Sequence, residues 1–594
     1  MLSRSYELTI AGKQDMMATA KVHPKKEQAG GRGAQAGGSH GDKQTVNKNG
    51  GSGKKEGAGI LGTVYNKIKD LDSTFAKNEL TYNIWKSARE GLEPQLVKML
   101  ENAPAAVNYV DSSGNSPMHL CARYNRTPVL EALLAQSADV NISGSYGVKP
   151  LHVAAKFDSI EVARLLLKHH ADVLCRDCKQ KTPLHYAARK GHAEMVQLLL
   201  AEGACHANVK DEDRLTPLHE AMLHKKSPIV MPLVENGADV FAKDITDGTP
   251  LMYAAAGDLT DAMTLLFDKA QRLEGSSGMD KIISDVDSEF NSSLHHAVQN
   301  NNVKATKLLL KKGVDVNLQN NSQTTPLHMV AMTGNKELTV ILLEHGATLE
   351  ARDSEYMTPV HRASFFNKLD VLKMLHAKKA DLNAKSADQL TPLLCGAWKG
   401  HVELMKFLLS NGARITEVDN KLKTALHWAA EYGHSDVLTL LLKEQYGGDK
   451  LLEAVDESEQ TIAHYAAKTG NTTIIKQLIK QGSKFDVRDE DGQTPLHLAA
   501  KHSFPEIIDI LMGASAYNEL NDGDCDGRTP LMLACDEGHL QSAKLLLSLG
   551  ADHSIRDDDY CSALLLAASK GHTKIMKLLL DNFAEVSHTD KLKR

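Results

Sequence analysis

The stretch Lys181-Thr182-Pro183-Leu184-His185-Tyr186-Ala187-Ala188-Arg189-Lys190-Gly191-His192 decides the fold of this 594-residue chain. Thr182 is a favourable helix N-cap, and Pro183 suits the first helical position because its φ is preset. Gly191 suits the left-handed residue that ends a helix. The apolar segment 194–200 then predicts a second helix, and Gly203-Ala204 opens an extended finger that leads to the next unit.

The same pattern recurs down almost the whole chain, from about Leu80 to the end. Intact or closely related motifs begin at Ser116, Lys149, Thr182, Thr216, Thr249, Thr325, Thr358, Thr391, Thr424, Thr494 and Thr529, and weaker ones at Tyr82, Ser292, Thr461 and Ser562. Most steps between them are 33 or 34 residues, a period typical of ankyrin repeats, which the chain therefore resembles. This resemblance predicts an all-α solenoid of about fifteen helix-turn-helix repeats with hairpin fingers, stacked because one repeat cannot bury its apolar face alone.

Composition excludes several classes of protein. Hydrophobic content of 42% and charged content of 24% are ordinary for a soluble chain. A net charge of -6 gives no electrostatic case for nucleic acid. Eight cysteines make no disulfide framework, which favours a reducing compartment. Neither a signal peptide nor an apolar run long enough for a transmembrane segment is present, so we expect a cytoplasmic protein.

Two segments precede the repeats. Residues 1–58 are rich in Gly and Lys and predict a disordered tail that is a solvated arm. The alternative is that its basic residues bind anionic lipid or a partner. Residues 59–79 carry apolar side chains at helical spacing, including Ile60, Val64 and Phe75. We expect an amphipathic helix there, either docked on the first repeat or free for a membrane surface or partner. The solenoid would occupy 80–594.

The period is irregular in two places. From Thr249 to Ser292 the step is 43 residues, and we place the extra length at 271–285, in the finger region. A smaller excess falls at 444–448. Insertions at such places leave a stacked core intact and project from the binding edge. After the last helical segment a further finger begins without a polar capping repeat, so we expect the sequence to be a piece of a longer protein, truncated at its C-terminal end.

Two clusters have the residue types of metal sites. Cys175 and Cys178 with Cys205-His206 would suit zinc, but they occupy ordinary finger positions, the interpretation that we favour. The run 522–527 matches half of a calcium loop, yet its twelfth position is Leu533 instead of Glu, which favours an acidic finger. Most of the 27 histidines recur with the period and are predicted to be structural. With no catalytic motif present, we expect no enzyme activity, cofactor or metal.

The remaining candidate for function is the concave surface formed by finger tips and first helices. The exposed positions predicted to bind partner proteins are Tyr186, Arg189, Trp398, Lys399, Trp428, Glu431, Tyr432, Tyr465 and Lys468. Trp398 and Trp428 belong to adjacent units and are plausible hot spots. The alternative is that both indoles pack between neighbouring helices.

Two stretches of the sequence are more distinctive than the general ankyrin-repeat pattern. The long insertion leads into the degenerate unit 282–298, with Leu294-His295-His296-Ala297-Val298, and two units later comes the segment 358–366, with His361-Arg362-Ala363-Ser364. Together they resemble the cytosolic N-terminal ankyrin domain of transient receptor potential channels of the ankyrin type (TRPA). That resemblance implies a regulatory or sensing domain at the cytosolic face of the plasma membrane, with channel subunits as partners. The pore, linker and coiled coil of such channels are absent from this sequence.

Two functions are therefore open. The first is the cytosolic regulatory domain of a TRPA-like cation channel. The second is a free cytosolic ankyrin-repeat adaptor or scaffold that binds protein partners through its concave groove. In both cases a long stack stabilised by neighbour interfaces carries the binding surface.

Overall fold

A computed structural model describes residues 82–591 except 112, 203–206, 515–518 and 588. The described part contains thirty α-helices in fifteen pairs, numbered here as repeats 1–15, and no strand. The first helices are α1 (82–90), α3 (Pro117–Tyr124), α5 (Pro150–Phe157), α7 (Pro183–Lys190), α9 (Pro217–Leu223), α11 (Pro250–Gly257), α13 (Ser293–Gln299), α15 (Pro326–Thr333), α17 (Pro359–Phe365), α19 (Pro392–Lys399), α21 (Ala425–Glu431), α23 (Ile462–Thr469), α25 (Pro495–Lys501), α27 (Pro530–Asp536) and α29 (Ala563–Ser569). The second helices are α2 (Glu93–Asn102), α4 (Thr127–Ala135), α6 (Ile160–Lys168), α8 (Ala193–Ala201), α10 (Val230–Glu235), α12 (Thr260–Ser284), α14 (Val303–Lys311), α16 (Lys336–Glu344), α18 (Leu369–Ala377), α20 (Val402–Ser410), α22 (Ser435–Leu441), α24 (Thr472–Lys480), α26 (Pro505–Gly513), α28 (Leu540–Ser548) and α30 (Thr573–Asp581). The predicted all-α stack of fifteen repeats is confirmed.

The motif folds as its residue types predict. In repeat 4, Thr182 is the extended N-cap of α7, Pro183 is its first residue, and Gly191 ends it at φ 82°. Ala187 and Ala188 are fully buried, so their small side chains allow the neighbouring helices to approach closely. From repeat 2 to repeat 15, neighbouring first helices pack on one another, and each of them packs on its own second helix. The core is therefore continuous along the described repeats.

In ten of the described repeats the motif histidine joins its repeat to the next. The backbone N–H of Thr358 donates to Nδ1 of His361 at 3.1 Å, so Nδ1 is the unprotonated nitrogen and Nε2 carries the proton. That Nε2 donates to the carbonyl oxygen of Leu390, in the following repeat, at 2.9 Å. Burial lowers the pKa of His361 to about 4 and keeps the ring neutral. The same bond is made by His119, His152, His185, His219, His295, His328, His427, His464 and His497. These histidines are structural, as predicted.

Two further sets of bonds cross the repeat interfaces. The histidine of the Gly-His pair bonds backward: Nε2 of His401 lies 3.1 Å from the carbonyl oxygen of Phe365, at the end of the previous first helix. The fingers are joined by a main-chain ladder with one bond per interface. Ala387 N–H, for example, donates to the Glu355 carbonyl at 3.0 Å. Side chains on the fingers and first helices are thus held at fixed places by main-chain bonds.

The long insertion is helical, which corrects the prediction that it extends a finger. The second helix of repeat 6 continues to Ser284 through a break at Gly275, where φ is 62° and ψ is -137°. Ala270 and Ile282, on either side of the break, are buried and so belong to the core. The smaller insertion forms two short 3-10 turns, Glu444–Tyr446 and Gly448–Leu451.

Some predictions fall outside the described residues. They are the tail at 1–58, the amphipathic helix at 59–79, and the finger opening at Gly203-Ala204. Within the described ranges, no helix is both long and apolar enough to cross a membrane.

Candidate partner-binding site

In several repeats a finger aspartate fixes the side chain at the fourth position after the N-cap. In repeat 4, Oδ1 of Asp177 accepts the backbone N–H groups of Lys179 and Lys181 at 2.8 and 2.9 Å. Its Oδ2 accepts the hydroxyl of Tyr186 at 2.7 Å. Burial, and then this hydrogen bond, raise the pKa of Tyr186 well above its usual range. The first-helix surface is thus tied to the finger that precedes it.

The same arrangement recurs in repeats 11 and 12 with different side chains. The indole Nε1 of Trp428 donates to Oδ2 of Asp419 at 3.1 Å, and the hydroxyl of Tyr465 donates to Oδ2 of Asp456 at 2.6 Å. Tyr465 is only 6% exposed. It therefore offers little surface to a partner, which corrects its prediction as an exposed groove residue.

Four aromatic side chains form a cluster across repeats 9–11, called the aromatic ridge: Phe365, Trp398, Trp428 and Tyr432. The ring of Phe365 meets that of Trp398 edge-on, with centroids 5.3 Å apart. Trp398 and Trp428 have centroids 4.9 Å apart and planes tilted by 31°. Trp428 stacks on Tyr432 at 5.9 Å with an angle of 18°. The ridge therefore crosses two repeat interfaces.

The ridge remains accessible to a partner. Tyr432 is 49% exposed, and the side chains of Phe365, Trp398 and Trp428 are half-buried. The two expectations for the indoles therefore both hold in part, because the rings pack on each other between neighbouring repeats and still present one side outward. Their role in binding remains a prediction.

Lysine side chains lie over the rings of the ridge. The Nζ of Lys399 is 4.4 Å from the ring centroid of Phe365 and 5.4 Å from that of Trp398. The Nζ of Lys423 is 5.2 Å from the ring of Trp428 and 2.8 Å from Oε2 of Glu431. Such cation–π contacts contribute about 0.5–1 kcal/mol each at exposed sites. They hold the aromatic side chains in place before any partner arrives.

The nine predicted residues divide into two groups. Trp398, Lys399, Trp428, Glu431 and Tyr432 lie at the ridge, with Tyr465 and the exposed Lys468 in the next repeat. Half-buried Tyr186 and exposed Arg189 belong to repeat 4, five repeats before the start of the ridge. The structure thus does not bring the nine together in one site.

The sequence analysis did not predict Phe365 and Lys423 as residues of this surface, although the repeat period could have indicated Phe365. The seventh residue after each N-cap points to the same surface in successive repeats. From repeat 2 to repeat 15 it is Arg123, Lys156, Arg189, Leu223, Ala256, Gln299, Met332, Phe365, Trp398, Glu431, Lys468, Lys501, Asp536 and Ser569. Aligned in this way, the sequence shows an aromatic pair at repeats 9 and 10 and basic residues at repeats 2–4.

The structure describes only part of the cluster that has the residue types of a zinc site. Cys205 and His206 lie outside the described residues, while Cys175 is buried with Sγ 3.6 Å from Nδ1 of His152, and Cys178 is exposed. No group of three potential metal ligands occurs within the residues that the structure describes.

The acidic finger is built by local bonds. Asp524 Oδ1 accepts two backbone N–H groups, and Asp522 pairs with Arg488 at 2.8 Å. Leu533 is buried in α27. The favoured interpretation, a finger turn, agrees with these contacts.

Stacked helix pairs, finger ladders and a surface of variable side chains define a helical-repeat solenoid. A family model for ankyrin repeats matches eight overlapping segments that together cover 84–590. The chain belongs to the ankyrin-repeat family.

Curated relatives match over shorter stretches. A putative ankyrin repeat protein of fowlpox virus, FPV223, is 35% identical over 112 residues, 19% of this chain and 71% of the relative. Human neurogenic locus notch homolog protein 1 is 32% identical over 128 residues, 22% of this chain and 5% of that protein. The 26S proteasome non-ATPase regulatory subunit 10 of Dictyostelium discoideum is 43% identical over 72 residues, 12% of this chain and 31% of the subunit. The chain thus spans only a small part of the notch protein's length.

Proposed function

We propose that this chain is a cytoplasmic protein-interaction scaffold whose aromatic ridge is the main docking surface for a partner protein. The observation that carries the proposal is the ridge itself, four aromatic side chains stacked across two repeat interfaces. Aromatic side chains dominate binding energy at protein interfaces. They also lose little conformational entropy on binding, since they have few rotatable bonds.

The ridge is not explained by the needs of the core. The seventh position after the N-cap is Ala256 or Ser569 in other repeats, and those repeats form the same helix pair. A half-exposed indole at this position therefore adds apolar surface that folding does not require. The lysines over the rings and Glu431 leave a polar rim, as at interfaces of transient complexes.

The experiment compares capture of partners by three forms of the full chain. Proteins bound from a cytosolic extract are quantified for the wild type, for W398A/W428A and for W85A, which removes an indole in repeat 1. The proposal expects a set of proteins that binds the wild type and W85A and is lost with W398A/W428A. If both variants retain the same bound proteins while circular dichroism shows them folded, the ridge is not the docking surface.

A second candidate is the regulatory domain of a TRPA-like channel. The observation that favours it is the insertion at the end of the second helix of repeat 6, which is followed by the degenerate unit with His295 and His296. In the His-Arg-Ala-Ser unit, Arg362 is buried against Asp353, so that unit carries a specific ion pair. An antibody against repeats 9–11 tests this candidate: a membrane-bound product much larger than 64.8 kDa supports it, and a product of about this mass in the cytosolic fraction alone contradicts it.

A further inference from the structure

A basic surface lies at the other end of the described repeats. The seventh position after the N-cap is Arg123, Lys156 and Arg189 in repeats 2, 3 and 4, and Lys190 follows the last of these. All four side chains are exposed. We call these four residues with Phe157 the basic groove.

None of the four cations lies within ion-pair distance of a carboxylate in the part of the chain that the structure describes. The nearby carboxylates are engaged elsewhere, because Asp158 lies 3.6 Å from His192 and Glu220 is buried against Lys181. Instead, the guanidinium of Arg123 lies 5.0 Å and the Nζ of Lys156 5.6 Å from the ring centroid of Phe157. The whole chain carries net negative charge, so this uncompensated positive surface is a local feature.

The charges are close enough to act on one another. Burial, and then the like charges of Lys190, Arg123 and Arg189, lower the pKa of Lys156. Folding therefore holds four cations near one another against their mutual repulsion. A ligand that neutralises them would remove that repulsion.

A cavity of about 170 Å³ lies between these first helices and the preceding fingers. Arg123, Lys156, Phe157 and Tyr186 line it on the helix side, with Ser113, Gly114, Gly144 and Ser145 among the residues on the finger side. Its finger wall is tightly packed, since a Cβ at Gly144 would lie 2.5 Å from the carbonyl oxygen of Gly114. A concave space of this size accepts side chains of an extended segment, whereas a flat membrane surface would not fill it.

We propose that the basic groove binds an extended acidic segment of a partner protein, with carboxylates repeated along the segment. The cations recur once per repeat, and packed helices lie about 8–10 Å apart. An extended segment in the polyproline II conformation has three residues per turn and advances about 3.1 Å per residue, so every third residue of the partner lies on the same side and meets one repeat. The preferred ligand therefore carries Asp or Glu at every third position. This site is separate from the aromatic ridge and does not depend on it.

The test uses three fluorescein-labelled synthetic peptides and the full chain. The first has Glu at every third position between Ser and Gly, the second has the same composition with its Glu residues in one block, and the third has Lys in place of Glu. Fluorescence anisotropy should show that the first binds most tightly and the third does not bind. Its affinity should fall steeply as ionic strength rises from about 0.01 to 0.15 M, where the Debye length shortens from about 30 to 8 Å.

Variants locate the site. R123E/K156E should weaken binding of the spaced peptide by about tenfold or more, because like charges are strongly unfavourable across an interface. K168E/K304E changes net charge equally at exposed positions on second helices and should leave binding unchanged. If R123E/K156E does not fold, R189Q/K190Q tests the same surface. W398A/W428A should keep full affinity, which separates this site from the ridge.

Three outcomes overturn the proposal. The first is equal affinity for the spaced and block peptides, which would show unspecific charge attraction. The second is unchanged binding by folded R123E/K156E. The third is binding of phosphatidylserine-containing vesicles through these four residues without binding of either glutamate peptide, which would assign the surface to a membrane.

Discussion

The aromatic ridge and the basic groove both include the seventh residue after the N-cap, yet they differ in how their charged side chains are compensated. At the ridge, the lysines lie over rings and Lys423 pairs with Glu431 at 2.8 Å. In the groove, four cations have no carboxylate at ion-pair distance among the described residues, and only Arg123 and Lys156 lie near a ring. One of the two ridge lysines is therefore paired with a carboxylate, whereas all four groove cations leave their charge for a ligand.

The difference shows which positions the fold leaves free. The motif Thr, Pro, His and Ala residues are committed to caps, core and interface bonds in nearly every repeat. The seventh residue after the N-cap belongs to none of these, and it varies from Arg to Trp to Ala. Two surfaces of different chemistry can therefore stand on one scaffold without changing its packing.

The largest expected effect comes from the buried cations beneath each surface. Lys181, beside the groove, lies 2.5 Å from Asp211 and also contacts Glu220. Arg362, beside the ridge, donates to Asp353 at 2.7 Å. Either cation changed to Met leaves buried carboxylates unpaired and should cost about 3–5 kcal/mol.

Because repeats contact only their neighbours, the damage should be local. Hydrogen exchange should accelerate around repeats 4–5 in K181M and around repeats 8–10 in R362M, each leaving the other surface protected. R164M, which removes an exposed pair with Glu194, should cost no more than about 1 kcal/mol. Uniform loss of protection in both variants would contradict this regional picture.

Acid should weaken the stack at its histidine interfaces. Burial lowers the pKa of His427 to about 4, while an unfolded histidine has a pKa of about 6.5. Between these values the unfolded state binds more protons, so this contribution to stability is complete above pH 6.5 and is lost as the pH falls towards 4. For His427 the loss is about 3 kcal/mol.

Leu replaces this histidine naturally at Leu394, in the middle of the ridge. H427L should therefore be less stable than the wild type at pH 7, yet lose less stability on acidification. H345L, a change at the end of a second helix, should keep the acid dependence of the wild type. Thermal unfolding across the pH range measures both, and an unchanged pH slope for H427L would show that His427 does not titrate on unfolding.

The finger aspartates should respond differently in the two regions. Asp419→Asn turns an amide donor towards the indole N–H of Trp428, which cannot accept, and should cost about 1–3 kcal/mol. Asp177→Asn faces the hydroxyl of Tyr186, which can reverse its bond and accept, so the loss should be smaller. Chemical denaturation compares the two, and equal losses would contradict the role assigned to the Trp428–Asp419 bond.

The smallest expected effect is on stability, where removing a lysine from the groove and removing one from the ridge should have opposite signs. Lys156→Gln relieves repulsion within the groove and should stabilise the chain by about 0.2–0.5 kcal/mol at low salt. Lys423→Gln removes the pair with Glu431 and the contacts with the rings, and should destabilise it by about 1 kcal/mol. Both shifts should shrink in high salt. The same sign for both variants would remove the proposed contrast between the surfaces.

The period predicted the repeat architecture because each motif residue has a local task. Thr182, Pro183 and Gly191 begin and end a helix through their own backbone preferences. The period did not predict the conformation of the insertion at 271–285, which was expected in a finger and is largely helical. Gly278 packs so closely on the carbonyl of Ala270 that a Cβ would lie 2.4 Å from that oxygen.

The candidate site was less predictable because it depends on neighbours outside the motif. Trp398 and Trp428 were visible as aromatics in adjacent units, but the burial of Tyr465 follows from its bond to Asp456, nine residues earlier. That Arg123 and Lys156 form no ion pair could not be predicted from the sequence, because it depends on where the surrounding carboxylates lie in the folded chain.

The acceptor of each forward histidine bond is a main-chain carbonyl, as at Leu390 for His361. Every residue type has such a carbonyl, so the bond does not depend on which side chains the next unit carries. A gene rearrangement that duplicates or deletes one whole unit in frame would thus leave each remaining histidine with a main-chain carbonyl acceptor in the following unit. Lineages of this protein can change in length by whole units, and gain or lose surfaces, without redesigning a junction.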